Sequence, residues 1–212
     1  MDLSYRTAPG ATALVVVDVQ NDFCHPDGVM GTAGNDVSAA VEMVPRLKAL
    51  IDDARAAGVL VVFIQTTHDE TVDSPVWLSR RGPLVEELGD ARVNCRTGSW
   101  GAEFYGVAPQ AGDRVVIKHR YSAFAGTDLD VVLRTAGITS LLLTGVATDV
   151  CVESTLREGL FHEYHVTMVE DCCATYDPAA QEASVRGVEK HFGVVTTAGA
   201  LSAGWAAVRQ PA

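Results

Sequence analysis

Six short apolar runs, most of them rich in β-branched residues, punctuate the chain: 13–17, 59–64, 114–117, 140–143, 166–169 and 193–195. Hydrophobicity within the runs is continuous rather than alternating, which marks strands covered on both faces, as in a parallel sheet. Between the runs lie longer amphipathic stretches. Val44, Leu47, Leu50, Ile51 and Ala54 recur at helical spacing, and Gly58 stands just past them, where a helix-ending glycine belongs. Pro45 marks either the first turn of that helix or a kink within a longer one. Further helices are predicted over 128–136, closed by Gly137, and over 151–164 and 178–190. Strands alternating with helices point to an α/β fold, a doubly wound parallel sheet with helices on both faces. Residues 66–112 break the rhythm with Gly, Pro, Arg and isolated aromatics. That stretch is too long for a plain connection and is expected to carry a lid or partner surface over the sheet edge. There is no repeat, low-complexity tract or linker, so a single domain over 1–212 is expected.

Charge and cysteine usage narrow the function classes. With 16 Lys and Arg against 27 Asp and Glu, the net charge is −11. Sequence-independent nucleic-acid binding, which needs clustered cations, is therefore not expected. No apolar run approaches the roughly 20 residues of a membrane span, and the first residues lack the basic-then-apolar pattern of a signal peptide. The five cysteines, Cys24, Cys95, Cys151, Cys172 and Cys173, are odd in number, scattered and never spaced CxxC. Reduced thiols in the cytoplasm fit this better than a disulfide framework, a thioredoxin-like motif or a zinc ribbon.

Open α/β sheets bind ligands outside the carboxyl ends of their strands, so the polar residues that follow each run carry the chemistry. Asp18 follows the first run, Lys118 the third, and the fourth leads through 144–150 to Cys151 at the start of a helix. Parallel strands bring a carboxylate, an amine and a thiol to one rim, which is a nucleophile with its base and an orienting charge. A strand-to-helix turn and a nearby ammonium are both expected to favour the Cys151 thiolate. Taken singly, a cysteine opening an apolar helix is as well read as core, and an Asp at a strand end as a turn residue.

The segment 13–23, with Asp18, Gln20 and Phe23, resembles the opening D-x-Q-x-x-F motif of the isochorismatase-like cysteine hydrolases. Lys118-His119-Arg120-Tyr121 resembles their lysine segment, and Gly145-Val146-Ala147-Thr148-Asp149-Val150-Cys151 their nucleophile segment. The resemblance runs in order over about residues 11 to 200. It implies a six-stranded parallel sheet, a catalytic triad of Asp18, Lys118 and Cys151, and a cis peptide between Val146 and Ala147. It also implies an oxyanion hole from the N–H groups of Ala147 and Cys151, with Phe23, Trp100 and Tyr121 walling the pocket; ordinary core packing is the competing reading of each aromatic. His68 either lines the pocket or is exposed.

Nicotinamidases of this family carry a metal on an Asp-x-His segment after the second strand plus a later His. Here residues 65–71 supply only His68, with no further His until His119, so no metal and no cofactor are expected. His162 and His165 lack an evident third ligand and read as a solvated helix end. Segments 150–159 and 96–101 resemble the ureido and N-carbamoyl amidohydrolase members. The expected activity is metal-independent cysteine amidohydrolysis of a small amide, ureido or carbamoyl substrate through an acyl-enzyme. Alternatives are an isochorismatase-type vinyl-ether hydrolase, whose members can lack the cysteine, and an inactive binding module of the same fold. The expected partner is a small-molecule substrate rather than nucleic acid or membrane, and the expected assembly a homodimer or homotetramer. Neither G-x-G-x-x-G nor G-x-x-x-x-G-K-[ST] stands at a strand-to-helix turn, which disfavours a nucleotide binder.

Overall fold

The apolar runs form six parallel strands in a computed structural model that describes residues 4–80 and 94–209. They are β1 Thr12–Val17, β2 Leu60–Thr66, β3 Arg114–Lys118, β4 Ser140–Val146, β5 His165–Ala174 and β6 Val194–Thr196, in the spatial order β3-β2-β1-β4-β5-β6. The order reverses between β1 and β4, which opens a crevice at their carboxyl ends.

Strand β1 shows why these runs are continuously apolar. Leu14 and Val16 pack on one side of the sheet against the Ser38–Ala57 and Ala198–Arg209 helices, while Ala13, Val15 and Val17 face the other side. There they meet residues of the Leu129–Thr135, Glu153–Phe161 and Pro178–His191 helices. Both faces of a central strand are core, so neither parity is free to be polar. On edge strand β3 that constraint relaxes, and Val115 and Ile117 are about half exposed, at 46% and 52%.

Local signals account for most element ends. Gly58 caps the Ser38–Ala57 helix in the left-handed conformation, φ 78°, and Asp177 accepts the Ala179 N–H at the start of the helix that Pro178 opens. Pro45 lies inside its helix, on an exposed position where water can take the carbonyl that proline leaves unpaired. The helix expected over 151–164 is instead a π-helical turn, Thr148–Val152, followed by an α-helix, Glu153–Phe161. Strand β5 runs past Val169 to Ala174, so Cys172 and Cys173 lie within it rather than after it, facing opposite sides of the sheet. Among the described residues no helix is long and apolar enough to cross a membrane.

The expected lid or partner surface in 66–112 falls in part on residues 81–93, outside the described residues. The described flanks include the helical turn Pro75–Leu78 and a segment at 94–97 that lies beside the end of β2. His68 N donates to the Cys95 carbonyl at 3.0 Å and Thr97 N to the His68 carbonyl at 3.1 Å.

Gly145 is where the crevice depends most on a missing side chain. Its φ is 109°, and a Cβ there would stand 2.0 Å from the Val17 carbonyl oxygen on the adjacent strand. Gly145→Ala is expected to cost about 3 kcal/mol or more, from a strained backbone and an unrelievable clash with main chain. Urea or thermal unfolding checks this, and an undisturbed midpoint would show that β1 and β4 do not approach so closely.

Candidate active site

Three strand ends build the site. Asp18 follows β1 directly, in the left-handed region with φ 52°, and its backbone N–H is held by the Ile64 carbonyl at 3.1 Å. Lys118 closes β3, in register with Thr66 of β2, so one strand separates it from β1. Two strand spacings are close to 10 Å, which a four-carbon ammonium stem can span to meet a short carboxylate. Lys118 Nζ lies 2.8 Å from Asp18 Oδ2, and Thr66 on the intervening strand donates its hydroxyl to Asp18 Oδ1 at 2.9 Å. Lys118 is 1% exposed and Asp18 is fully buried.

Cys151 arrives from β4 through the π-helical turn. Its Sγ is 3.5 Å from Lys118 Nζ, which also donates to the Arg120 carbonyl at 2.9 Å. The Val146–Ala147 peptide is cis, and the Ala147 carbonyl accepts the N–H groups of Val150 and Val152, both at 3.1 Å. Thr155 ties the turn to the lysine segment: its hydroxyl donates to the Cys151 carbonyl at 2.7 Å and accepts the Ala123 N–H at 3.0 Å.

Electrostatics at the thiol pull in both directions. Burial pushes the Cys151 thiol up to about 12; the Lys118 ammonium pulls it down, and the Asp18 carboxylate pushes it further up. Enclosure thus works against a thiolate at Cys151, while the ammonium works for it. Burial also works against the Lys118 ammonium, but the Asp18 carboxylate beside it works the other way, and the pKa is raised. Burial raises the Cys24, Cys95, Cys172 and Cys173 thiols as well. What separates Cys151 from them is its contact with Lys118 and its place on a cavity wall.

That cavity encloses about 550 Å³ of empty space counted out to its open mouth. Phe23, Tyr121, Val146, Ala147 and Cys151 line it, and so does His68, for which the sequence leaves lining and exposure open. Trp100 does not. It is 48% exposed, its ring lies edge-on to His25 at 5.1 Å, and its carbonyl accepts from the Asn21 side chain. The tryptophan on the wall is Trp77, stacked on His68 with ring centres 5.7 Å apart. Arg80 and Tyr176 also line the cavity and were not singled out from sequence, and Arg120, named there only as part of the lysine segment, lines it too. Only the folded turn at 75–78 reveals Trp77 and Arg80, because no motif residue stands near them.

Gln20, read as part of a motif, serves as a clamp. Its amide nitrogen donates to the Thr66 and Ala102 carbonyls and its oxygen accepts the Thr66 N–H, all at 2.8 Å. His68 is buried, its Nδ1 2.6 Å from Asp73 Oδ1, and Asp73 Oδ2 takes Arg96 at 2.8 Å. Burial lowers the His68 pKa against the pull of Asp73. His119 Nδ1 is 2.7 Å from the Thr67 carbonyl. His162 stacks on Phe124 and His165 packs edge-on against Tyr5. Among the described residues no three His, Cys, Asp or Glu side chains gather as a metal site.

Known proteins share this architecture. The Isochorismatase domain model matches residues 12–200. A ureidoacrylate amidohydrolase, RutB, of Yersinia enterocolitica is 40% identical over 199 residues, covering 88% of this chain and 85% of that protein. The structure of a cysteine hydrolase from Pseudomonas syringae pv. phaseolicola superposes with a TM-score of 0.79 at 27% identity, covering 94% of each chain. N-carbamoylsarcosine amidase from Thermoplasma acidophilum gives 0.69 at 29% identity, over 89% of this chain and 96% of that one. With the carboxylate, ammonium and thiol at one sheet rim and the family match running through all three strand ends, this chain belongs to the isochorismatase domain family.

Proposed function

We propose that the protein is a cysteine amidohydrolase that cleaves a C–N bond of a small ureido or carbamoyl substrate through a covalent intermediate. The observation that carries this is Lys118, 2.8 Å from the Asp18 carboxylate and 3.5 Å from the Cys151 sulfur, at the wall of one cavity. The names of the Yersinia and Thermoplasma proteins, a ureidoacrylate amidohydrolase and an N-carbamoylsarcosine amidase, support the substrate class. Vinyl-ether hydrolysis has no comparable use for a thiol held beside an ammonium.

In this mechanism the Cys151 thiol gives its proton to Asp18 as sulfur attacks the substrate carbonyl carbon, and Lys118 balances the charge that moves onto sulfur. The tetrahedral oxyanion is held by the N–H groups of Ala147 and Cys151, each such donor worth roughly 3 kcal/mol in other acyl-transfer enzymes. Collapse breaks the C–N bond, and the Asp18 proton leaves on the departing nitrogen. Asp18 then takes a proton from water as it attacks the thioester-like intermediate, and the bond to sulfur breaks. The thiol regains the proton and the cycle closes. Starting from a neutral thiol avoids holding two anions in a buried site, so charge separation is deferred until a carbonyl is present to receive it.

The test is ammonia release from a panel of ureido and N-carbamoyl acids, simple amides and ureas, with and without a strong chelator. Turnover is expected on the ureido or carbamoyl acids and is expected to survive prolonged chelation. The donors nearest the pocket support metal independence: His68 is committed to Asp73, and Asp73 to Arg96, a cation of its own. Loss of activity that zinc or iron restores would overturn the metal-free assignment, and turnover of no panel member would overturn the substrate class.

A further inference from the structure

Among the described residues the charges on the cavity wall do not cancel. Lys118 and Asp18 neutralise each other, and Asp73 is spent on His68 and Arg96. Arg80 and Arg120 remain, and among the described residues neither has a carboxylate partner, in a chain whose net charge is −11. Their hydrogen bonds go to uncharged groups. Arg80 donates through Nε to the Tyr121 hydroxyl at 2.9 Å and through Nη1 to the Trp77 carbonyl at 2.5 Å. Arg120 donates to the His119 carbonyl at 2.6 Å and the Val72 carbonyl at 3.1 Å.

Both guanidiniums lie over the Trp77 ring, at 3.9 Å for Arg80 and 5.0 Å for Arg120. Two like charges gathered on one aromatic ring repel each other, and the ring face and the carbonyls offset only part of that cost. An anion entering the cavity would relieve it. Arg80 is also seated for the purpose: Trp77 lies under its plane and Tyr121 under its Nε, so little side-chain freedom remains to be lost on binding. Among the described residues its Nη2 has no hydrogen-bond partner.

We infer that Arg80, seated on Trp77 and Tyr121 with Arg120 beside it, is the anion subsite that makes the enzyme select substrates bearing a carboxylate away from the scissile carbonyl. The assignment rests on the amidohydrolase reading for turnover but not for binding. It makes Arg80 a specificity determinant rather than a participant in bond breaking. His68, stacked on the same tryptophan and held away from protonation by burial, leaves the positive charge of this wall to the two arginines.

The experiment compares 3-ureidoacrylate with its methyl ester, which removes the anion and keeps the ureido group. Steady-state turnover is measured for the wild type, Arg80→Met, Arg80→Lys and Arg186→Met. Wild type is expected to prefer the acid. Arg80→Met is expected to reduce the acid-over-ester ratio in kcat/KM by roughly 10- to 100-fold, through KM for the acid, and Arg80→Lys to restore part of it. Arg186→Met, on the far more exposed Pro178–His191 helix, removes the same unit of net charge and is expected to leave the ratio alone. A parallel calorimetric titration of the same two compounds into Cys151→Ala, with and without Arg80→Met, reads the subsite without chemistry. Arg80-dependent preference for the acid in that titration upholds the inference even where no turnover is found, and it is then the amidohydrolase reading that fails. Equal losses for acid and ester, an unchanged ratio, or binding of neither compound overturns the inference and leaves Arg80 as a prop for Trp77.

Discussion

Cys151→Ala is expected to abolish turnover, by about 10³-fold or more, while leaving the unfolding transition within about 1 kcal/mol of wild type. The two halves of that result have separate causes. Chemistry is lost because alanine offers no atom to form the covalent intermediate, and no other thiol can substitute. The fold survives because only one sulfur atom is removed, from a residue at the wall of an existing cavity. Cys24→Ala is the control: a thiol buried still more deeply, in the opposite core layer, whose loss is expected to leave the rate within a few-fold. Mass spectrometry of the wild-type enzyme mixed briefly with substrate should show an adduct on the tryptic peptide containing Cys151. Retention of even a tenth of the wild-type rate in Cys151→Ala would sink covalent catalysis by this residue, whatever the adduct map showed.

What the sequence disclosed about this site followed the logic of the sheet. Asp18 and Lys118 were legible because each stands at the end of a continuous apolar run, and Cys151 because a short turn leads to it from another; parallel strands must bring such ends to one rim. The core was legible for the same reason: central strands buried on both faces admit almost nothing polar. Three things were hidden. Trp77 and Arg80 lie on a four-residue helical turn, Pro75–Leu78, and just after it, in a stretch with neither helical nor strand periodicity. Trp100 looked like a wall residue because it sits in a motif-like segment, yet that segment contributes its backbone, through the Trp100 and Ala102 carbonyls, to Asn21 and Gln20. The upward push on the Cys151 thiol was hidden because burial is a property of the folded surroundings. A helix start and a nearby ammonium are visible in sequence; the enclosure that works against them is not.

Lys118→Met and Asp18→Asn should both silence the enzyme and yet move the Cys151 thiol in opposite directions. In the wild type, burial holds the thiol pKa high, Lys118 lowers it and Asp18 raises it. Lys118→Met removes the lowering influence, so alkylation by a small uncharged reagent should slow at every pH below the thiol pKa and recover only as pH rises further. Asp18→Asn removes the raising influence, so the same reagent should react faster than with wild type at neutral pH. Turnover should nevertheless fall in both, by about 10³-fold, because the first lacks the charge that balances the developing thiolate and the second lacks the group that carries the proton. Each also leaves one partner of a buried ion pair alone, at a cost of about 3 kcal/mol or more unless the survivor is neutralised, so unfolding must be measured beside the rates. The sign of that cost depends on pH. In Lys118→Met the stranded carboxylate is relieved by protonation as pH falls, so stability relative to wild type should improve toward acid. In Asp18→Asn the stranded ammonium is relieved by losing its proton, so relative stability should improve toward alkaline pH. Four curves then have assigned directions, two for alkylation and two for stability. If the alkylation profiles of both variants superimpose on wild type, the three groups do not share a site, and the mechanism built on their contact falls with them.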